Sequence, residues 1–199
     1  QWNEPELVTP YYKGLNAFFE FAFWWRLTEA INAGRGSGFA ATIDGYHQKY
    51  TAIRSDAIAA TKLTNHDEDR AASTIGRNQS KLKLAAAVLL TAGGEPYIYQ
   101  GEELGYWGTK ANGDEYVRTP MMWTSDISSA ACGDLGGRVD KSMLTASISV
   151  ESQTTDESSL LNVYRRFGIL RDSYSALAKG SFKEKNGIGK TAVGAWYRE

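Results

Sequence analysis

Apolar and polar positions along the chain change period several times, and the changes divide it into elements. Asn16 to Phe23 (NAFFEFAF) is dense in aromatics and predicts a short buried strand. Trp24 to Asn32 follows as a helix stopped by Gly34 and Gly36, and Thr42 to Ala57 as a second helix. Ala59 to Asn65 is mostly apolar or β-branched, which predicts a strand ending at Asn65-His66-Asp67. Gln79 to Thr91 (QSKLKLAAAVLLT) carries the richest Leu/Ala/Val helical pattern, ended by Gly93-Gly94. Glu95-Pro96 then opens a strand over Tyr97 to Gln100, closed by Gly101. The first half thus alternates strand and helix, the signature of an α/β fold with a parallel sheet or barrel. From Gly105 to Ser158 the period dissolves into Gly, Ser, Thr, Asn and Asp, as in a long surface excursion of the kind that often carries function. Ser159 to Ser173 is an amphipathic helix with a basic last turn. Gly180 to Arg198 offers two short strands around the turn pair Asn186-Gly187, so a change of mode from α/β to β falls near Leu177.

Composition narrows the function classes. A net charge of −1 and a pI near 6.2 argue against nonspecific nucleic-acid binding, which needs a basic face. The single cysteine, Cys132, excludes an internal disulfide framework and a Cys-rich zinc site. No apolar run reaches the ~18 residues that would span a bilayer. At 199 residues the chain is shorter than the roughly 250 of a closed (β/α)8 barrel. Its first ten residues read as a loop leaving an element that begins upstream, with no start methionine or signal-peptide pattern.

Asn65-His66-Asp67-Glu68-Asp69-Arg70 gathers an imidazole, three carboxylates and a guanidinium at the C-terminal end of a predicted strand. Parallel α/β folds build their sites at that end. By its residues alone the cluster is either such a site or a solvated loop with local ion pairs. A metal reading is weaker. Only His47 and His66 are available, and neighbouring His and Asp side chains in a strand point apart.

LTNHDEDR (Leu63 to Arg70) resembles the strand-7 signature of the alpha-amylase family, glycoside hydrolase family 13. Four further segments resemble that family in the same order. TPYYKGLNAFFEF (Thr9 to Phe21) is similar to the segment after the general acid, and AAAVLLTAGGEPYIYQGEELG (Ala85 to Gly105) to helix 7 and strand 8. VRTPMMWT (Val117 to Thr124) resembles an Arg-Thr-Pro-Met-x-Trp segment, which leans towards members acting on short oligosaccharides. SLLNVYRRFGILRDSYSALAKG (Ser159 to Gly180) is similar to the last barrel helix entering the C-terminal domain. The resemblance implies that residues 1–176 are the C-terminal portion of a (β/α)8 TIM barrel, from strand 6 to helix 8. Residues 177–199 would begin an antiparallel β-sandwich domain.

The same resemblance implies a retaining glycoside hydrolase acting on α-1,4-glucans. Asp67 would be the carboxylate that binds sugar hydroxyls and stabilises positive charge at the anomeric carbon. His66 would bind the same sugar. Arg118 is either a substrate contact or a clamp on a loop carboxylate. Trp107, with Tyr106 and Trp123, would lie at the barrel mouth and offer a stacking face, whereas Trp24, Trp25, Phe18, Phe19 and Phe21 would pack the core. Arg70 reads as a structural ion pair with Glu68, Asp69 or Glu102. Glu4, Glu6, Asp44 and Asp114 have no motif support and default to solvated surface.

Gln1-Trp2 matches the last two positions of the family's Gly-Glu-x-Trp acid motif, so the general acid and the nucleophile are expected upstream. Arg138-Val139-Asp140 mimics the nucleophile motif but follows Asp67 instead of preceding it, and reads as a loop pair. The isolated chain is therefore expected to release no sugar from starch. Calcium is expected, if anywhere, outside this segment, and no cofactor within it. The implied partner is an α-glucan, with no nucleic acid and no membrane span. Its location would be extracellular, periplasmic or at the cell surface. The alternatives are a non-catalytic carbohydrate- or partner-binding member, or an α-1,6-glucosidase or glucosyltransferase relative.

Overall fold

A computed structural model describes residues 4–126, 128, 141–185 and 189–199. The elements in chain order are α1 (Pro5–Val8), β1 (Ala17–Glu20), α2 (Phe21–Ala33), α3 (Phe39–Ile53), β2 (Ile58–Lys62), α4 (Ala71–Thr74) and α5 (Gln79–Thr91). After these come β3 (Glu95–Tyr97), α6 (Asp114–Val117), α7 (Val150–Thr155), α8 (Leu160–Ser173), α9 (Ser175–Lys179), β4 (Phe182–Glu184) and β5 (Trp196–Arg198). The chain forms two compact units. One comprises Gln1–Leu63, Val88–Tyr97 and Ile169–Glu199, the other Thr64–Ala87 and Ile98–Gly168.

The first unit is built on a parallel sheet in the order β1-β2-β3, with Phe18 opposite Ala59 and Thr61 opposite Pro96. The alternating α/β pattern is thereby realised. The aromatic stretch that predicts one strand from Asn16 to Phe23 splits instead. Glu20 closes β1, and α2 starts at Phe21 with no side-chain cap. Glu20 is buried and accepts a hydrogen bond from the Tyr50 hydroxyl at 2.9 Å. Tyr12 stacks on Tyr50 with centroids 4.8 Å apart and donates to the Ile58 carbonyl, pinning β2 to this cluster. Of the aromatics expected in the core, Trp24 is buried and Phe18 and Phe21 are half-buried, but Trp25 and Phe19 are exposed. Phe19 follows the half-buried Phe18 on β1 and points to the opposite face, as strand alternation dictates. At the end of the chain β4 and β5 pair antiparallel, Phe182 opposite Arg198, so both strands expected there are present. Asn186 and Gly187 of the expected turn lie outside the described residues, as do Cys132 and the Arg138-Val139-Asp140 triplet.

The second unit is where the excursion after β3 folds. It lacks a repeating period, yet Leu104, Tyr106, Met122, Met143 and Leu161 form a buried cluster beneath it. Tyr106 is 1% exposed and its hydroxyl is used twice, donating to the Pro120 carbonyl and accepting from the Met122 amide. It is therefore core, not a sugar platform. Gly101 is left-handed at φ 84°, and a Cβ there would stand 2.3 Å from the Tyr106 ring, so glycine is required for this packing.

Candidate active site

β2 ends at Lys62, three residues earlier than its sequence predicts, and Asn65 to Asp67 form a turn. The Asn65 side chain accepts from the Asp67 amide at 2.8 Å, a local bond that competes with strand pairing and ends it. Freed from strand alternation, His66 and Asp67 converge. Nε2 of His66 lies 3.2 Å from Oδ2 of Asp67, so the expectation that neighbouring side chains point apart does not hold here.

Backbone bonds bring the loop after β3 onto this turn. The Arg70 amide donates to the Gly108 carbonyl, and the Ser73 hydroxyl bonds both the carbonyl and the amide of Gly108. The Lys110 amide donates to the Asp69 carboxylate at 2.6 Å. A side chain at Gly108 would stand 1.9 Å from the Tyr116 carbonyl, so only glycine permits this approach.

Two cations then reach Asp67. Nη2 of Arg118 donates to Oδ1 at 2.9 Å while its Nε donates to the His66 carbonyl at 3.1 Å. Lys110 Nζ approaches the same Oδ1 at 3.4 Å. Of the two readings of Arg118, the contact with a carboxylate is present, and that carboxylate is Asp67. Desolvation opposes ionisation of Asp67, but the neighbouring His66 and the hydrogen bonds from Arg118 and Lys110 outweigh it. Its carboxyl is held below the ordinary range.

Lys110 and Asp114 were not predicted as site residues. Asp114 accepts from Lys110 and lies 2.8 Å from Nη2 of Arg118, so its place is inside this network and not on isolated surface. The signal was available in the sequence: Lys110, Asp114 and Arg118 alternate in charge at four-residue spacing.

The remaining candidates sit differently. Trp107 is half-buried against the Leu104–Met122 cluster, and its ring carries the Arg77 guanidinium 4.3 Å from the centroid. Arg70 is 1% exposed. It lies 4.2 Å over the Tyr99 ring and donates to the Gln100 carbonyl, while its Nε and Nη2 have no hydrogen-bond partner among the described residues. Its role is structural, but through an aromatic face and a carbonyl instead of the expected ion pair; of Glu68, Asp69 and Glu102, only Glu102 is among the charges that act on it. No group of three or more His, Cys, Asp or Glu among the described residues is arranged to hold a metal ion. No described helix is long and apolar enough to cross a membrane. A cavity of about 860 Å³ in the first unit, lined by His47, Tyr50, Arg171 and Phe182, contains none of the predicted site residues.

Residues 8–180 match the model of the alpha-amylase catalytic domain. The chain is similar to the alpha-amylase SusG of Bacteroides thetaiotaomicron, 48% identical over 201 positions covering 98% of this chain and 28% of that protein. It is also similar to the trehalose synthase/amylase TreS of Mycolicibacterium smegmatis, 34% identical over 65% of this chain and 23% of that protein. The crystal structure of an alpha-amylase from H. orenii superposes with a TM-score of 0.81 at 29% identity, over all of this chain and 40% of that one. The chain therefore spans well under half the length of these relatives. With the family's catalytic-domain model matched over most of its length, the chain belongs to the alpha-amylase family and corresponds to part of its (β/α)8 barrel.

Proposed function

We propose that the chain contributes the charge-stabilising part of an active site that cleaves α-1,4-glucans with retention. The reading is carried by one observation: Asp67 is a carboxylate kept ionised by two cations and an imidazole at the family's strand-7 motif. In a retaining glycosidase the sugar ring gains positive charge as the glycosidic bond breaks. An anion fixed beforehand lowers the energy of that state without reorganising as the charge appears. Asp67 supplies the anion and accepts from sugar hydroxyls, His66 offers a donor to the same sugar, and Arg118 fixes the carboxylate's orientation. Trp107 is a candidate stacking surface at the edge of the site. The acid and the nucleophile belong to other parts of the barrel, and residues 177–199 are the start of its β domain. Substrate chemistry of this kind calls for a location outside the cytoplasm, which fractionation of the native cells tests.

The experiment is Asp67→Asn in the full-length gene product, assayed on maltooligosaccharides. Turnover is expected to collapse while KM changes little; a fall in kcat of less than about tenfold would overturn the role. A transferase reading is favoured by the likeness to a trehalose synthase/amylase, and the ratio of transfer products to free reducing sugar distinguishes it.

A further inference from the structure

We infer that Asp114 is a positioning residue of this site: it is the counter-ion that keeps the cations on Asp67 from making the site net positive. The inference rests on the reading of Asp67 given above.

The geometry links four charged side chains, beside the Asp69 carboxylate that accepts from the Lys110 amide. Lys110 and Arg118 both converge on Oδ1 of Asp67, at 3.4 and 2.9 Å. The same two cations are held from behind by Asp114, through Lys110 Nζ and, at 2.8 Å, Arg118 Nη2. Two carboxylates thus balance two cations. The turn at Gly113, where φ is 126°, and the single turn of α6 put residues 110, 114 and 118 on one side of the loop. The cations' effect on Asp114 appears in its carboxyl, which the Lys110 hydrogen bond, against some desolvation, holds below its usual range.

Positive charge near a developing oxocarbenium opposes it. Two cations are needed to hold Asp67 in place, yet without Asp114 they would exceed the single negative charge they hold. Asp114 removes that excess and screens the repulsion between the two cations it contacts. It does so without occupying Oδ2 of Asp67, the oxygen that faces His66.

The test uses the full-length gene product and two substitutions. Asp114→Asn keeps the shape and removes the charge; kcat is expected to fall about tenfold with KM within about twofold, because a unit charge lost from the ion-pair network of Asp67 acts on the charged transition state. Adding Lys110→Met to Asp114→Asn restores charge balance, and kcat is expected to return to within about threefold of the unsubstituted protein. A residue that merely tied the loop together would not be rescued by losing a second contact. A further fall in the double variant therefore overturns the inference. So does an Asp114→Asn variant with unchanged kcat in a protein where Asp67→Asn collapses turnover; that result leaves the Asp67 reading standing. If Asp67→Asn itself leaves turnover intact, the reading fails and this inference falls with it.

Discussion

Asp67 and Glu102 are carboxylates of the same compact unit, and their surroundings drive them in opposite directions. The Asp67 side chain is 58% exposed and meets an imidazole and two cations. Glu102 is 3% exposed, takes a 2.7 Å hydrogen bond from the Tyr164 hydroxyl, and has no partner for Oε2 among the described residues. Burial pushes its carboxyl up to about 8. The Tyr164 hydrogen bond and the charge of Arg70 pull the other way, and nearby Glu103 adds to the rise. The difference teaches that cations are not enough to keep a carboxylate charged. Arg70 is close enough to act on Glu102, yet desolvation prevails; at Asp67 water remains and the cations prevail. A carboxylate meant to meet a developing positive charge belongs in the second setting, and one meant to join helix α8 to the loop after β3 can occupy the first.

The largest expected effects separate the two by what they damage. Asp67→Asn should cost turnover a hundredfold or more, the order found when a preorganised electrostatic partner is removed. Its thermal transition should scarcely move, because exposed substitutions usually stay within about 0.5 kcal/mol. Arg70→Ala should do the reverse. It opens a cavity under Tyr99 and Tyr106 and strands the Gln100 carbonyl, which should destabilise the fold by about 3 kcal/mol. Calorimetry and steady-state kinetics on the two variants of the full-length gene product check both halves. Large stability loss in Asp67→Asn would erase the contrast.

Glu102 gives the next effect, in pH. A glutamate ionises near its ordinary value of 4.5 in the unfolded chain but near 8 here, so between those values the folded state binds one more proton. Stability should therefore fall as pH rises from about 4.5 to about 8, with a slope of at most about 1.4 kcal/mol per pH unit, and level off above that. Glu102→Gln, which cannot ionise, should flatten this part of the profile. Thermal melts of both proteins across the range test it, and an unchanged slope in the variant would locate the titration elsewhere. Asp67 has the opposite sign: its lowered carboxyl contributes only above its ordinary value of 3.8, and that contribution disappears as pH falls.

This contrast was only half legible in the sequence. α5 runs from Gln79 to Thr91 as predicted, because an Ala/Leu-rich run bounded by Gly93-Gly94 leaves few alternatives. The boundary between β1 and α2 falls at Glu20, three residues before the predicted strand end at Phe23, since NAFFEFAF is apolar at both periods and carries no capping residue at the switch. The pairing of Glu20 with Tyr50, thirty positions away, marks the strand's end. His66, Asp67 and Arg118 were found through motif resemblance, and the structure brings all three together. The charge alternation of Lys110, Asp114 and Arg118 is local, but that it faces Asp67 depends on Gly108 docking against Ser73, a tertiary contact that the spacing does not announce. Tyr106 was misplaced for the same reason: an aromatic in a polar, aperiodic excursion looks exposed until the cluster beneath it is seen.

Salt should give the smallest effect and the finest discrimination. Raising ionic strength from about 0.1 M to about 1 M shortens the Debye length from roughly 10 Å to roughly 3 Å. The charges around Asp67 are open to solvent, so their mutual field should weaken, whereas ions do not enter the surroundings of Glu102. On an uncharged maltooligosaccharide, kcat/KM is then expected to fall about two- to threefold, with no contribution from steering of the substrate. The pH dependence of stability that Glu102 sets should keep its slope. Asp114→Asn changes the first response and not the second, because with one carboxylate gone the residual cation repels the transition state, and salt now relieves that repulsion. Its kcat/KM should rise slightly with salt where the unsubstituted protein's falls. Parallel salt responses in the two proteins would show that the four charges do not act as one set.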